Sequence, residues 1–425
     1  MTMLPEEYAA QGMLYSLRET CYTGITVIQF KCVFCGERHP ADPMAQFCPD
    51  CSEPLLVELP PGRRCIRSGD TALSRYLEFL PIPEVDRSLH LGEGDTPLLP
   101  LNRLTKRLHL PPVLVKNEML NPTASFKDRG TVVSVHMAKS RGLSRIGTVS
   151  TGNMAASTAA YGARAGMETF ILVKDDTTEE KLLSTAAYGA RVVKVEGNYG
   201  ELGRESFALG KRHGIYFMNS VDPFRVEGYK ATAFEIFEEF QSRNPGSIVV
   251  PVSSGGHLIG LMKAFMELKE QGLCSEFPTF FGVQAGGCSP IARAFAEGSL
   301  RYREWGLPST VAQSISNPAP PGGNLALRMI RELGGEVLAV SDEEILSAQR
   351  LLAEEEGLFC LPASATTLAG VLDLQERGRL ASGEPVVLVA TGSGLKNLRA
   401  FPAEHGHVYA SSLQNLDSLI ASLAT

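Results

Sequence analysis

At 425 residues, with 44% hydrophobic content and 41 glycines, the chain is long enough for more than one packed domain and reads as an α/β protein, not a coiled coil or a disordered chain. A net charge of −7 excludes the basic footprint of a nucleic-acid or anionic-membrane binder. No apolar run approaches the roughly 20 residues of a membrane helix, and the acidic start Met1 to Glu7 has no signal-peptide pattern, so the expected compartment is the cytoplasm.

Residues 1–24 show weak periodicity and are expected to form an N-terminal extension. Residues 25–58 read as a small ribbon: an alternating run from Ile25 to Phe30, then Cys32 and Cys35, then Cys48 and Cys51, then the apolar run Leu55 to Leu59. Each CxxC turn presents two thiolates, and two such turns complete a tetrahedral S4 site, so the spacing predicts structural Zn2+. A redox CxxC would instead be one pair at a helix start. The other five cysteines are scattered and are expected to be buried or inert.

Pro60, Pro61 and Gly62 mark a break, and residues 59–90 read as a connector. Residues 91–405 form the main body, with 406–425 as a C-terminal segment. The body alternates apolar runs (145–149, 168–173, 191–195, 247–252, 279–284, 386–390) with segments of helical spacing (179–188, 226–241, 342–356). That alternation predicts mostly parallel sheets covered on both faces, the α/β class.

At the junction between the strand-like run Val113 to Val115 and a helical segment stands Asn-Pro-Thr-Ala-Ser-Phe-Lys-Asp-Arg-Gly, residues 121–130. A lysine at such a junction lies at the carboxyl ends of the strands, where open α/β sheets bind ligands. Its amine is a nucleophile only when desolvated or linked to an aldehyde cofactor; the bland alternative is a surface lysine in a polar turn. Three further loops follow strands: Ser150 to Ser157, Ser253 to His257 and Thr391 to Lys396. Glycines before a helix suit a phosphate, and hydroxyls at a helix start suit a carboxylate, although a tight turn or a Ser/Thr cap has the same residues.

Together, residues 121–130 resemble the cofactor-lysine motif of threonine synthase and its relatives, the fold-type II enzymes dependent on pyridoxal 5'-phosphate (PLP), a tryptophan synthase β-like fold of two open, mostly parallel sheet subdomains. The likeness spans roughly residues 88–400 in family order, opening on Leu91 to Leu98, with Ala124 where the family usually has Gly. It implies that Lys127 carries PLP and acts in catalysis. It implies that Ser253, Ser254, Gly255, Gly256 and His257 cradle the phosphate, Asn153 meets the phenolic oxygen and Thr391 faces the ring nitrogen. Ser150, Thr151, Met154 and Ser157 would lie against an amino-acid substrate, and Ser220 and Arg225 would grip its phosphate. Met154 and His257 depart from the family's usual Thr and Asn; His257 reads either as a cationic partner or as a neutral cap. The activity implied is O-phosphohomoserine plus water to threonine plus phosphate, in a homodimer by family analogy. Another β/γ-replacing or eliminating PLP enzyme, and a non-catalytic regulator carrying a zinc ribbon, are the alternatives.

Overall fold

The computed structural model describes residues 28–197, 199–241, 244–398 and 409–424. The expected extension 1–24 and the first three residues of the ribbon lie outside them, and the strand expected from Ile25 is described only from its second half. Strands β1 (Gln29–Cys32), β2 (Arg38–Pro40) and β3 (Leu55–Glu58) form an antiparallel sheet in the order β2-β1-β3. The body holds two further sheets. The larger contains β4 (Leu98–Pro100), β5 (Val113–Asn117), β10 (Ser247–Pro251), β11 (Thr279–Ala285), β12 (Glu336–Val340) and β13 (Val386–Ala390), ordered β12-β11-β10-β13-β5-β4. All its pairs are parallel except β4 with β5. The smaller, β8-β7-β6-β9, is wholly parallel: β6 (Arg145–Val149), β7 (Glu168–Lys174), β8 (Arg191–Val195) and β9 (Tyr216–Phe217).

Burial follows this pattern. Every residue of β10 and β13 is buried, as parallel strands covered on both faces require. The helices Lys127–Ser140 and Gly256–Glu270 each pack against Pro223–Glu239. Their closest approach is made by Gly228, where a Cβ would stand 2.1 Å from the Arg129 carbonyl oxygen and 2.7 Å from the Cα of Gly130. Backbone cannot retreat as a flexible side chain can, so Gly228→Ala is expected to destabilise the apoprotein by about 1–3 kcal/mol, read as a lower urea midpoint at unchanged slope.

A buried ion network braces the start of the first of these helices. Arg129 donates Nε to Glu118 Oε2 (2.6 Å) and Nη1 to Glu235 Oε1 (2.6 Å), while Lys116 pairs with Glu235 Oε2 (2.7 Å). Thr96 joins through its hydroxyl to Glu118 (2.7 Å), and Asp95 N–H donates to Glu235 (2.8 Å). The segment Leu91 to Leu98 is thereby tied to the helix that carries Lys127.

The cysteine module straddles both halves of the body. Gln46 donates to the Phe217 carbonyl on β9, Phe47 meets Phe207 edge-on at 5.5 Å, and Arg141 donates to the Ala41 carbonyl (2.7 Å). On the other side Asn324 donates to Glu53 (2.9 Å), and the Arg328 guanidinium lies 5.4 Å from the Phe34 ring centroid. At the far end, the helix Leu416–Leu423 buries none of its residues.

Candidate active site

Lys127 is the first residue of its helix, and the loop before it is held by the loop after β13. Phe126 N–H donates to the Thr391 carbonyl (3.1 Å), Ser393 N–H to the Ala124 carbonyl (3.1 Å), and Lys396 Nζ to the Thr123 carbonyl (2.6 Å). Ala124, which stands where the family usually has Gly, has φ +56°. For a residue with a Cβ the left-handed region costs roughly 1–2 kcal/mol, which those contacts offset.

Lys127, Ser150, Thr151, Asn153, Met154 and Ser220 line one cavity of about 320 Å³, together with Ser253, Ser254, Gly255, Gly256, His257 and Thr391. It opens at the carboxyl ends of β5, β6, β10 and β13, where an open α/β sheet places its ligands. The Lys127 amine is 4.3 Å from the Phe126 ring centroid and has no carboxylate partner among the described residues. Burial, and then the positive charge of Arg225, push its pKa down to about 7. A group so displaced exists in good part as the free amine at neutral pH, the form a nucleophilic lysine needs.

Gly255 takes φ +94°, and a Cβ there would stand 2.8 Å from the Gly322 carbonyl oxygen; at Gly256 it would stand 2.4 Å from that of Ser220. These two contacts demand glycine and set the start of the helix Gly256–Glu270, whose first N–H groups have no intrahelical acceptor. Ser254 is braced from outside, its hydroxyl accepting from Asn317 Nδ2 (2.8 Å). Asn153 opens the helix Asn153–Ala165 behind Gly152, its amide near Gly392. The Thr391 hydroxyl is 3.0 Å from that of Ser364, which accepts the Gly392 N–H (3.0 Å). Partners suited to a phosphate, a phenolic oxygen, a ring nitrogen and an aldehyde thus surround one space, and the residues present fit PLP.

Two residues expected at the substrate lie elsewhere. Ser157 is fully buried between helices, hydrogen-bonded to Thr131 (2.6 Å). Arg225 is also fully buried and does not line the cavity: Asp222 caps its helix, accepting the Arg225 N–H (2.9 Å), and that first turn faces Thr131 and Thr158, which accept from its guanidinium at 2.8 and 3.2 Å. His257 lines the cavity but is no cation. It is 6% exposed, stacks on Phe126 with centroids 4.0 Å apart, and burial, then the charges of Lys127 and Arg129, hold its pKa well below the usual histidine value. The lining also includes Phe126 and residues 313–318, which were not assigned to the site.

The chain belongs to the pyridoxal-phosphate dependent enzymes: residues 89–392 match that family. Within it, the chain is similar to threonine synthases. It is 37% identical over 375 residues to that of Methanocaldococcus jannaschii, covering 86% of this chain and 92% of the relative. It is 38% identical over 327 residues to that of Bacillus sp. strain ULM1, covering 76% and 90%. Among solved structures, the threonine deaminase of T.th. superposes with a TM-score of 0.59 at 26% identity, covering 70% of this chain and 92% of that one. Threonine deaminase isoform 2 of Solanum lycopersicum, at 19% identity and a TM-score of 0.62 over 84% and 90%, shares the fold. No helix of the described residues is long and apolar enough to cross a membrane.

Proposed function

We propose that the protein is a PLP-dependent threonine synthase or a close paralogue, taking O-phosphohomoserine and water to L-threonine and phosphate. The observation that carries the reading is the desolvated Lys127 amine facing a cavity with a fitting partner for each polar group of PLP; likeness to threonine synthases over 86% of the chain supports it. Bound PLP would supply an electron sink for carbanions of the amino-acid substrate. The N–H groups at Ser253 to Gly256 would hold its anionic phosphate at the helix start. Asn153 would serve the phenolic oxygen of PLP, and Thr391, whose hydroxyl is placed by Ser364, would serve the ring nitrogen. Ser150 and Thr151 hold the substrate carboxylate by the next helix start. Lys127 moves protons among Cα, Cβ and Cγ, while Ser220 faces the distal phosphate and Met154 helps to exclude water.

The test is phosphate release from O-phosphohomoserine, measured beside ammonia release from threonine and serine. The burial of Arg225, which leaves no arginine and no lysine but Lys127 lining the cavity among the described residues, favours a second reading as a deaminase. Ammonia without phosphate would establish that reading. By analogy with the family, the assembly is a cytoplasmic homodimer.

The four thiols of Cys32, Cys35, Cys48 and Cys51 are the site for structural Zn2+ in this proposal. Their sulfurs lie within 4.8 Å of one another, with Cys32 and Cys51 at 3.3 Å and Cys35 and Cys48 at 3.6 Å. Tetrahedral Zn–S bonds of about 2.3 Å set sulfurs about 3.8 Å apart, so the donors fit. Metal analysis is expected to find one zinc per chain, lost in Cys48→Ser together with a lower unfolding temperature, because a preformed site adds its binding energy to folding. A metal-free protein of unchanged stability overturns the assignment.

A further inference from the structure

Glu53, in the cysteine module, is a carboxylate that folding has taken almost out of water: it is 5% exposed. It stands two residues after Cys51, and its carbonyl accepts the Cys48 N–H (2.8 Å). The turn that carries two of the four thiols therefore fixes where its side chain leaves the backbone. That side chain reaches across to the body. Its Oε1 accepts from Asn324 Nδ2 (2.9 Å), and the guanidinium of Arg301, a side chain 67% exposed, lies 3.5 Å away.

Asn324 is the second residue of the helix Gly323–Glu332, and the start of that helix is wedged against the glycine turn of the cavity. Gly322, its cap, donates its N–H to the Ser254 carbonyl (2.9 Å). A Cβ on Gly322 would stand 2.6 Å from that carbonyl oxygen, and a Cβ on Gly255 would stand 2.8 Å from the carbonyl oxygen of Gly322. Backbone thus meets backbone, with no side chain between to absorb a shift. On its other side the helix start packs on Tyr302: a Cβ on Gly323 would stand 2.7 Å from its ring, and the Tyr302 N–H donates to Asn324 Oδ1 (3.1 Å). The Asn324 amide is held at both ends, by Tyr302 and by Glu53. Neither Glu53 nor Asn324 lines the cavity, so the pair acts on it only by placing the turn.

We propose that Glu53 is a positioning residue for the phosphate turn: through Asn324 and the helix start at Gly322, it lets the cysteine module hold Ser254 and Gly255 where their N–H groups meet an anion. The inference rests on the reading that this turn takes the phosphate of PLP. Main-chain N–H groups are directional donors, and they bind an anion best when their backbone is already held in place. A turn that drifts loses phosphate affinity, while Lys127, carried by a different helix, keeps its place. A contact that merely fastened the module to the body would weaken every ligand alike, or none.

The test compares PLP with pyridoxal, which lacks the phosphate, each titrated into the full-length apoprotein and followed by absorbance. The wild type is expected to prefer PLP strongly. In Glu53→Ala the Kd for PLP is expected to rise about tenfold, the size of one charge-assisted hydrogen bond, with that for pyridoxal unchanged. Asn324→Ala is expected to do the same, and the double variant to lose no more than either single one, since both cut one link. Glu53→Gln keeps an acceptor for Asn324 and is expected to restore most of the preference; Arg301→Ala removes only the exposed cation and is expected to leave it intact. An unchanged Kd for PLP in Glu53→Ala, or equal losses for PLP and pyridoxal, overturns the proposal. So does a Glu53→Gln no better than Glu53→Ala, or an Arg301→Ala as weak as either. Should Glu53→Ala not fold, an unchanged preference in Asn324→Ala overturns it equally. A wild type that binds PLP no more tightly than pyridoxal defeats the underlying reading instead.

Discussion

Lys127→Ala is expected to abolish covalent PLP attachment and to lower turnover by roughly 10³-fold or more, because one amine both anchors the cofactor and moves the protons. Among the described residues no other lysine lines the cavity to replace it. The glycine turn at Ser253 to Gly256 remains, so the variant should still bind PLP reversibly, without the wild-type visible band. Dialysis followed by spectroscopy separates the two behaviours. A variant that keeps a dialysis-resistant chromophore and wild-type turnover would remove Lys127 from the chemistry.

Arg129→Met is expected to give the largest loss of stability. Arg129 is enclosed by Glu118, Glu235 and the Thr96 hydroxyl, with both carboxylates nearly inaccessible to water. Removing the cation leaves Glu118 without its ion-pair partner and Glu235 with Lys116 alone. Breaking a buried pair costs about 3–5 kcal/mol, a large share of a total that is typically about 5–15 kcal/mol. Urea unfolding of the apoprotein measures it, and a loss below about 1 kcal/mol would refute the account. Arg38→Met is the control: Arg38 pairs with Glu58 on a surface where its side chain is 52% exposed, and solvent screening leaves such pairs with little effect on stability. Since the Arg129 network ties Leu91 to Leu98 to the Lys127 helix, weaker PLP binding should accompany the instability.

These two arginines, with Arg225, show where sequence reading stops. The body's strands were legible at 145–149 and 386–390 because parallel, doubly covered strands are apolar runs, and at the exposed edge strand 191–195 because its valines favour extended backbone; β10, β11 and the helix Asp342–Glu356 followed within a residue or so. The helix Asp342–Glu356 also announces itself by a capping box, Ser341 with Glu344. Short or edge strands such as β4, β9 and β12 were not assigned; two or three residues carry no period, and β12 includes an exposed Ala339. The lysine motif, the glycine turn, the asparagine loop, Thr391 and the cysteine spacing were all readable, since each is a local pattern of a few residues.

What the sequence alone determined is thus the alternation of strand and helix, the four thiols and the loops that meet at one cavity. Folding decided which side chains reach that cavity and in what charge state. Ser157 and Arg225 face a helix interface, His257 is a stacked neutral ring, and residues 313–318 arrive from far along the chain. Spacing along a strand or helix is set by backbone geometry between neighbours, whereas accessibility and proton affinity depend on groups brought close through space.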